Sequence, residues 1–347
     1  MNDKDKFEIV IYGVGAIGAS LGGWLTPHYD KIYLLARGDN AKVIKSRGLT
    51  LYQKINNNPV PIPVNVIEDI NEKPSADIIV IAVKNYDLEE VAKDVFSKLG
   101  DKPIIVALQN GVENQKILPK YFTKIIYGII LFNAWQDKPG IFGYRNKGQI
   151  ILGTIDNSLQ SIMEKISQIF NLGIPTKITH MLQEAAHSKM IINLGNSILT
   201  LIDFNYNKID NKISYISKFR KILINMLIEG IKIIQTAGYQ EHKLKGLPPW
   251  NALKILIDAP DEKADQLFKQ NMKEIGINSM MQDIITRGKS QSELESINGY
   301  FVKLADSLGI KAPYNKVIYQ LCKTQFDKSP FQPLDIKVVW NKINENL

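Results

Sequence analysis

Lys189, Asn193 and Ser197 stand at i, i+4 and i+8, with Asn196 at i+7, among Met190, Ile191, Ile192, Leu194 and Ile198. On a helix these polar residues share one face. Burying such a stripe without partners is costly, so it must meet other polar groups or a ligand. A lysine held among apolar neighbours loses part of its preference for the charged form and can act as a general acid near neutral pH. The plainer alternative is a lysine that lays its stem on the apolar surface and reaches water; the polar residues one and two turns on favour the acid. Further along come Asn278-Ser279-Met280-Met281-Gln282-Asp283, then Ser290-Gln291-Ser292-Glu293-Leu294-Glu295 and Ile297-Asn298-Gly299. These read as an N-cap, a loop and a capped helix with an acidic first turn. Residue types alone do not choose between Glu293 and Glu295.

A second group points to a bound nucleotide. Gly13-Val14-Gly15-Ala16-Ile17-Gly18 follows the apolar run Phe7–Tyr12 and opens a helical stretch. In a strand-turn-helix setting, Gly13 allows the tight turn, Gly15 lets backbone approach a pyrophosphate, and Gly18 lets the helix pack on the strand. The amides at the start of that helix then hold phosphate. Arg37 ends the second strand, where a carboxylate would select NAD and an arginine accommodates the 2′-phosphate of NADP. Asp39, two residues on, could be that carboxylate but also reads as a helix N-cap, so NADP(H) is the expected cofactor. Lys84 and Gln109-Asn110-Gly111 each stand just past an apolar run. Singly they read as a solvated lysine and a turn; together, at the edge where open α/β sheets bind ligands, they read as part of a polar site.

The elements that must position these residues follow from periodicity. Apolar runs at 7–12, 31–36, 77–83, 103–108 and 125–132 alternate with helical stretches at 15–26, 39–47, 87–98 and 111–121. That alternation predicts an α/β domain with a Rossmann-type, doubly wound parallel sheet. Gly140, Gly143, Gly148 and Gly153 predict a hairpin over 140–153 that closes the sheet. Beyond residue 180, helical periodicity over 181–203, 214–237, 261–273, 290–308 and 314–325 predicts an all-α domain. The expected division is therefore an NADP-binding domain over 1–180 and a helical substrate and catalytic domain over 181–347. The chain has 347 residues, 45% hydrophobic and 22% charged, which excludes disordered and fibrous classes and suits two cores. A single cysteine, Cys322, and four histidines without ligand spacing leave no metal site to expect. The net charge of +8 is spread over both halves without a basic run, so nucleic acid is not an expected partner. The charged start and the short uncharged runs near 125–136 and 190–202 predict neither a secretory leader nor a membrane span, hence a cytoplasmic protein.

Taken in order, these motifs resemble the ketopantoate reductases (2-dehydropantoate 2-reductases) over nearly the whole chain. The resemblance rests on the Gly13–Gly18 loop, Arg37-Gly38 with Ala41, Ile44 and Gly48-Leu49, and Val83-Lys84-x-Tyr86. It continues through Gln109-Asn110-Gly111-Val112-x-Asn114, Lys189-x3-Asn193, Asn278-Ser279-Met280-x-Gln282-Asp283 and Glu293-x4-Asn298-Gly299. It implies NADPH-dependent reduction of the 2-oxo acid ketopantoate to (R)-pantoate, on the route to pantothenate and coenzyme A. By that resemblance Lys189 donates the proton and Glu293 holds the lysine and the substrate hydroxyl. Asn193, Ser197 and Ser279 bind substrate, Asn110 contacts substrate or nicotinamide, and Lys84 lies on the cofactor side with Arg37 and Gly13, Val14, Gly15, Ala16, Ile17 and Gly18. A homodimer is compatible with this reading. The chain departs from the pattern at His187-Ser188, where an aromatic residue often precedes the lysine, at Ser197 in place of an asparagine, and in an extended 240–270 segment. The alternatives are a related NADPH-dependent reductase of a different 2-oxo acid, and a non-catalytic NADPH-binding sensor.

Overall fold

The computed structural model describes residues 6–53, 59–205, 213–272 and 276–347. The chain separates into two compact units, Met1–Leu182 and Gln183–Leu347.

The first unit runs β1 (Ile9–Tyr12), α1 (Ala16–Leu25), β2 (Ile32–Leu35), α2 (Gly38–Arg47), β3 (Thr50–Gln53), β4 (Asn65–Ile67), β5 (Ile78–Ile81), α3 (Asn85–Leu99), β6 (Ile104–Ala107) and α4 (Asn114–Ile117). It continues with β7 (Ile125–Leu131), β8 (Ala134–Lys138), β9 (Ile141–Tyr144), β10 (Gln149–Gly153), α5 (Gln160–Asn171) and β11 (Thr176–Ile178). The main sheet has the order β11-β10-β7-β6-β5-β1-β2-β4. Its pairs are parallel except β7 with β10. The central strands Ile-Val-Ile-Tyr, Ile-Ile-Val-Ile and Ile-Ile-Val-Ala are buried at every position, as a parallel sheet covered on both faces requires. After β1 and β2 the chain returns to β5 on the opposite side of β1, which makes the end of β1 a switch point for ligand binding. Gly13, Lys84 and Asn110 follow β1, β5 and β6 respectively.

The hairpin expected over 140–153 does not form. β9 pairs with β8 and β3 in a separate three-stranded sheet, while β10 joins the main sheet against β7. The reason lies in how the glycines are used. Gly140, at φ +73°, turns β8 into β9. A Cβ at Gly143 would stand 2.4 Å from the Trp135 ring, and one at Gly148 would lie 1.8 Å from the Leu131 carbonyl oxygen. Those two glycines serve close approaches rather than a turn between β9 and β10. The helix expected over 111–121 is reduced to α4 and a 3₁₀ turn at Leu118–Lys120, which contains Pro119.

The second unit is helical: α6 (Leu182–Leu201), α7 (Ile213–Thr236), α8 (Trp250–Asp258), α9 (Asp261–Met272), α10 (Ser279–Met281), α11 (Tyr300–Ser307), α12 (Pro313–Phe326) and α13 (Ile336–Asn344). Two wide π turns, Gln282–Thr286 and Glu295–Gly299, stand before α11, so the helix expected over 290–308 has its regular part only from Tyr300. On α7, Gly230 has no side chain because a Cβ would meet Leu194 of α6 at 2.6 Å. Arg220, 2% exposed, ties α7 to the next two helices. It bonds Asp265 at 2.5 Å, Asp261 at 2.6 Å and the Leu256 carbonyl at 3.2 Å. Among the described residues no helix is long and apolar enough to cross a membrane.

Candidate active site

The glycine loop divides its work between packing and access. Gly13 has φ +101°, and a Cβ there would meet Val83 Cγ1 at 2.7 Å. At Gly18 a Cβ would stand 2.1 Å from the Gly13 carbonyl oxygen, so this glycine lets α1 rest on the loop. Gly15 is the opposite case: nothing lies within 4 Å of the Cβ position. It is the N-cap of α1 yet offers no side-chain cap, and the first turn carries no acid. The leading amides of α1, with Val14, Ala16 and Ile17 contributing only backbone, thus form a cradle for an anion. That fits a pyrophosphate.

Arg37 caps α2 from extended backbone, and its side chain is 58% exposed. One Nη2 donates to the Tyr12 hydroxyl at 2.6 Å and lies 3.4 Å from Asp94 Oδ2. Tyr12 in turn donates to Asp94 at 2.6 Å, and Lys98 bridges Asp94 and Asp69 at 2.9 and 2.8 Å. Burial and the adjoining Asp94 carboxylate push the Tyr12 phenol well above its ordinary value, so it keeps its proton. Burial opposes the Asp94 charge, but the Tyr12 and Lys98 bonds outweigh it and hold the carboxyl below the usual range. The result is a guanidinium held in place and open to solvent, suited to a phosphate ester. Asp39 instead sits exposed in the first turn of α2, 3.7 Å from Lys42.

Lys84 is the N-cap residue of α3. The Gln109 amide donates to the Ile81 and Val83 carbonyls at 2.8 and 3.1 Å, bracing the ends of β5 and β6. Asn85 Nδ2 donates to the Asn110 carbonyl at 2.6 Å, which fixes the turn that presents Asn110. Sequence reasoning missed Tyr12, Asp94 and Asn85 as supports. Their only local signal is adjacency to Gly13 for Tyr12 and to Lys84 for Asn85.

In the helical unit, Lys189 sits in the first half of α6, partly buried. Burial lowers its ammonium to about 8, against the upward pull of the Glu293 carboxylate. Glu293 is 3% exposed, and its Oε2 accepts from Ser279 Oγ at 3.1 Å. The neighbouring Asn278 caps α10 by accepting from the Met281 amide at 2.9 Å. Glu295 faces the other way. It accepts from the Tyr319 hydroxyl at 2.6 Å and lies 3.7 Å from Lys303 and from Lys323. Lys189, Glu293 and Ser279 are thus brought together, and Glu295 belongs to the surface.

Asn193 is partly buried one turn beyond Lys189. Ser197 serves another purpose. It is fully buried, donates to the Leu194 carbonyl at 2.8 Å and accepts from Asn298 Nδ2 at 2.9 Å. Its hydroxyl is thus engaged on both sides, within α6 through Leu194 and to the π turn at Glu295–Gly299 through Asn298. On α6, Ser188 Oγ accepts from the His242 amide at 2.9 Å. There the segment before α8 folds over a cavity of about 480 Å³ lined by Ser188, Glu241, His242, Leu244, Pro248 and Trp250.

Comparison with known proteins assigns the chain to a family. The family model described as ketopantoate reductase PanE/ApbA matches residues 9–157, and its C-terminal counterpart matches 181–325. The 2-dehydropantoate 2-reductase of Pyrococcus abyssi is 29% identical over 321 residues, covering 91% of this chain and 97% of the relative. The solved 2-dehydropantoate 2-reductase of Geobacter metallireducens superposes with a TM-score of 0.73 at 20% identity, over 91% of this chain and 99% of that one. D-mandelate dehydrogenase, solved with NADH and anilino(oxo)acetate, gives 0.72 at 17% identity over 97% and 99%. Likeness at those identities speaks for the shared fold. The two family models together span most of the sequence, and the chain belongs to the ketopantoate reductase PanE/ApbA family.

Proposed function

We propose that this protein reduces 2-dehydropantoate to (R)-pantoate with NADPH, supplying pantothenate and coenzyme A synthesis. The observation that carries the reading is the Lys189 ammonium, drawn to about 8 beside a buried Glu293. A donor in that range holds a proton at neutral pH and can release it within a catalytic cycle.

NADPH, when bound, supplies the hydride to the carbonyl carbon. The open face at Gly15, the amides of α1 and the exposed Arg37 guanidinium fit its pyrophosphate and 2′-phosphate. Lys189 donates its proton to the carbonyl oxygen and, as a cation, stabilises the charge that develops there. Glu293 orients the ammonium and accepts from the substrate hydroxyl, and Ser279 fixes the carboxylate while reaching toward the substrate. Asn193 binds substrate from the same helix face, Asn110 contacts substrate or nicotinamide, and Lys84 serves the cofactor side. Ser197 supports the site by holding α6 to the π turn.

A second reading, a reductase of a different 2-oxo acid, is favoured by the segment 239–251. It packs on His187 and Ser188 beside the catalytic lysine. The test is loss of NADPH absorbance with ketopantoate, a panel of 2-oxo acids and NADH run in parallel. NADPH-selective turnover of ketopantoate supports the first reading. Selective turnover of another 2-oxo acid supports the second. Binding of NADPH with no turnover of any of them, and unchanged NADPH affinity in Lys189→Ala, removes both in favour of a sensor.

A further inference from the structure

His187 lies two residues before Lys189, is 1% exposed, and has both ring nitrogens engaged. Nδ1 is 2.7 Å from the Gln183 carbonyl, which can only accept, so Nδ1 carries the hydrogen. Nε2 stands 2.8 Å from the Tyr300 hydroxyl. Burial lowers the affinity of the imidazole for a second proton, so Nε2 is bare and accepts. Burial likewise pushes the Tyr300 phenol up to about 12, so it retains the proton that it donates. The imidazole also stacks on Tyr239, ring centroids 4.2 Å apart. Its tautomer, orientation and partner are therefore all determined by its surroundings.

Tyr300 is the first residue of α11, directly after the π turn that follows Glu293. The backbone between them is continuous: the Ile297 amide donates to the Glu293 carbonyl at 3.1 Å, and the Tyr300 amide to Glu295. The helix that carries the lysine and the segment that carries the carboxylate are thus joined by a side-chain bond close in sequence to both groups. A second tie, from Asn298 to Ser197, joins the same two elements ten residues further along α6, about 15 Å by helical rise. Two ties that far apart on a rigid helix fix rotation as well as separation.

We infer that His187 is a positioning residue which, through its bond to Tyr300, sets the Lys189 ammonium against the Glu293 carboxylate. The inference rests on the reading of those two residues as the proton-delivering pair. It also gives a use to the position where this chain departs from the aromatic residue common in its family. Of the charged groups in this cluster, Glu293 acts on Lys189 and Glu184 lies near His187.

The test compares wild type with Tyr300→Phe, His187→Phe and the double variant, in which no polar atom of the broken bond remains. Thermal unfolding, NADPH affinity by fluorescence titration, and kcat as a function of pH are measured for each. The expected result is folded double variant with unchanged NADPH affinity and kcat lowered roughly 10- to 100-fold, the scale of a misplaced catalytic group. Its alkaline limb moves to lower pH, because a lysine further from Glu293 loses the attraction that holds its proton. A double variant with wild-type kcat and an unmoved limb overturns the inference, whatever its melting temperature. Full turnover by Lys189→Ala overturns the underlying reading, and the inference with it.

Discussion

Replacing Lys189 with methionine should abolish turnover and at the same time make the protein more stable. The ammonium sits at about 8, against 10.5 for an ordinary lysine. At 1.36 kcal/mol for each tenfold change in proton affinity, the gap corresponds to about 3 kcal/mol. Its sign follows from which state holds the proton. Below about 8 both folded and unfolded chains carry the charge, and the folded one bears the whole cost of its burial. Between about 8 and 10.5 the native state releases the proton first, and the cost fades; above that range it is gone. The attraction of Glu293 is already contained in the position of the lysine, so the net figure stands. Methionine fills a similar volume without the charge. The variant should therefore melt roughly 6–12 °C higher than wild type at neutral pH, given the usual response of a unit of this size. That advantage should shrink to nothing as pH rises past about 10.5. Circular dichroism melts of both proteins across that pH range provide the assay, with NADPH turnover measured alongside. A methionine variant no more stable than wild type at neutral pH, or an advantage independent of pH, would refute the reasoning.

The two glycines of the cofactor loop should respond in opposite ways. Gly15→Ala places a methyl in open space, so its melting temperature should match wild type while NADPH affinity falls. Gly18→Ala drives a methyl toward the Gly13 carbonyl oxygen and should cost about 1–3 kcal/mol of stability, read by urea unfolding. Arg37→Ala should weaken NADPH binding roughly 10- to 100-fold, the value of charged hydrogen bonds, with NADH affinity nearly unchanged; equal losses for both would exclude Arg37 from the 2′-phosphate. Tyr12→Phe should shift the same preference in the same direction but less, since the guanidinium remains and only its support is lost. Arg220→Met removes the cation from the half-buried Asp265 and should lower unfolding stability by roughly 1.5–3 kcal/mol, the value of hydrogen bonds to charged groups, with turnover retained by the folded fraction.

Much of the site is written locally in the chain, and that part is legible in the sequence. The strand, Gly13–Gly18 and α1 are contiguous, so the order of residue types specifies both turn and cradle. Lys189 and Asn193 lie on one helix face for the same reason. Long-range geometry is not legible. Glu293 and Glu295 are equivalent as sequence. They separate only because Ser279 meets one, while Tyr319, Lys303 and Lys323 meet the other. Ser197 looks like a ligand to substrate until Asn298, about a hundred residues away, is seen to occupy its hydroxyl. The misplaced hairpin has a similar origin. Gly143 and Gly148 signal turns by composition, but they answer to Trp135 and Leu131. The strands β3 and β4 are three or four residues long and not fully buried, too short for alternation to reveal them. His187 signals nothing beyond an apolar helix until Tyr300 and Tyr239 close around it.

The π turn at Glu295–Gly299 holds one residue more than a regular turn would need. Deleting a single residue there would let the stretch relax into ordinary α-helix with its backbone bonds intact. Four residues of α-helix sweep about as far around the axis as these five of the wider turn, so Glu293 and Tyr300 would keep their relative rotation and the change would fall on the residues between them. The carboxylate would stay beside the lysine, and the contact displaced would be the bond from Asn298, inside the turn, to Ser197. A sequence alignment that closed a one-residue gap in this turn would assign the acid to the wrong position.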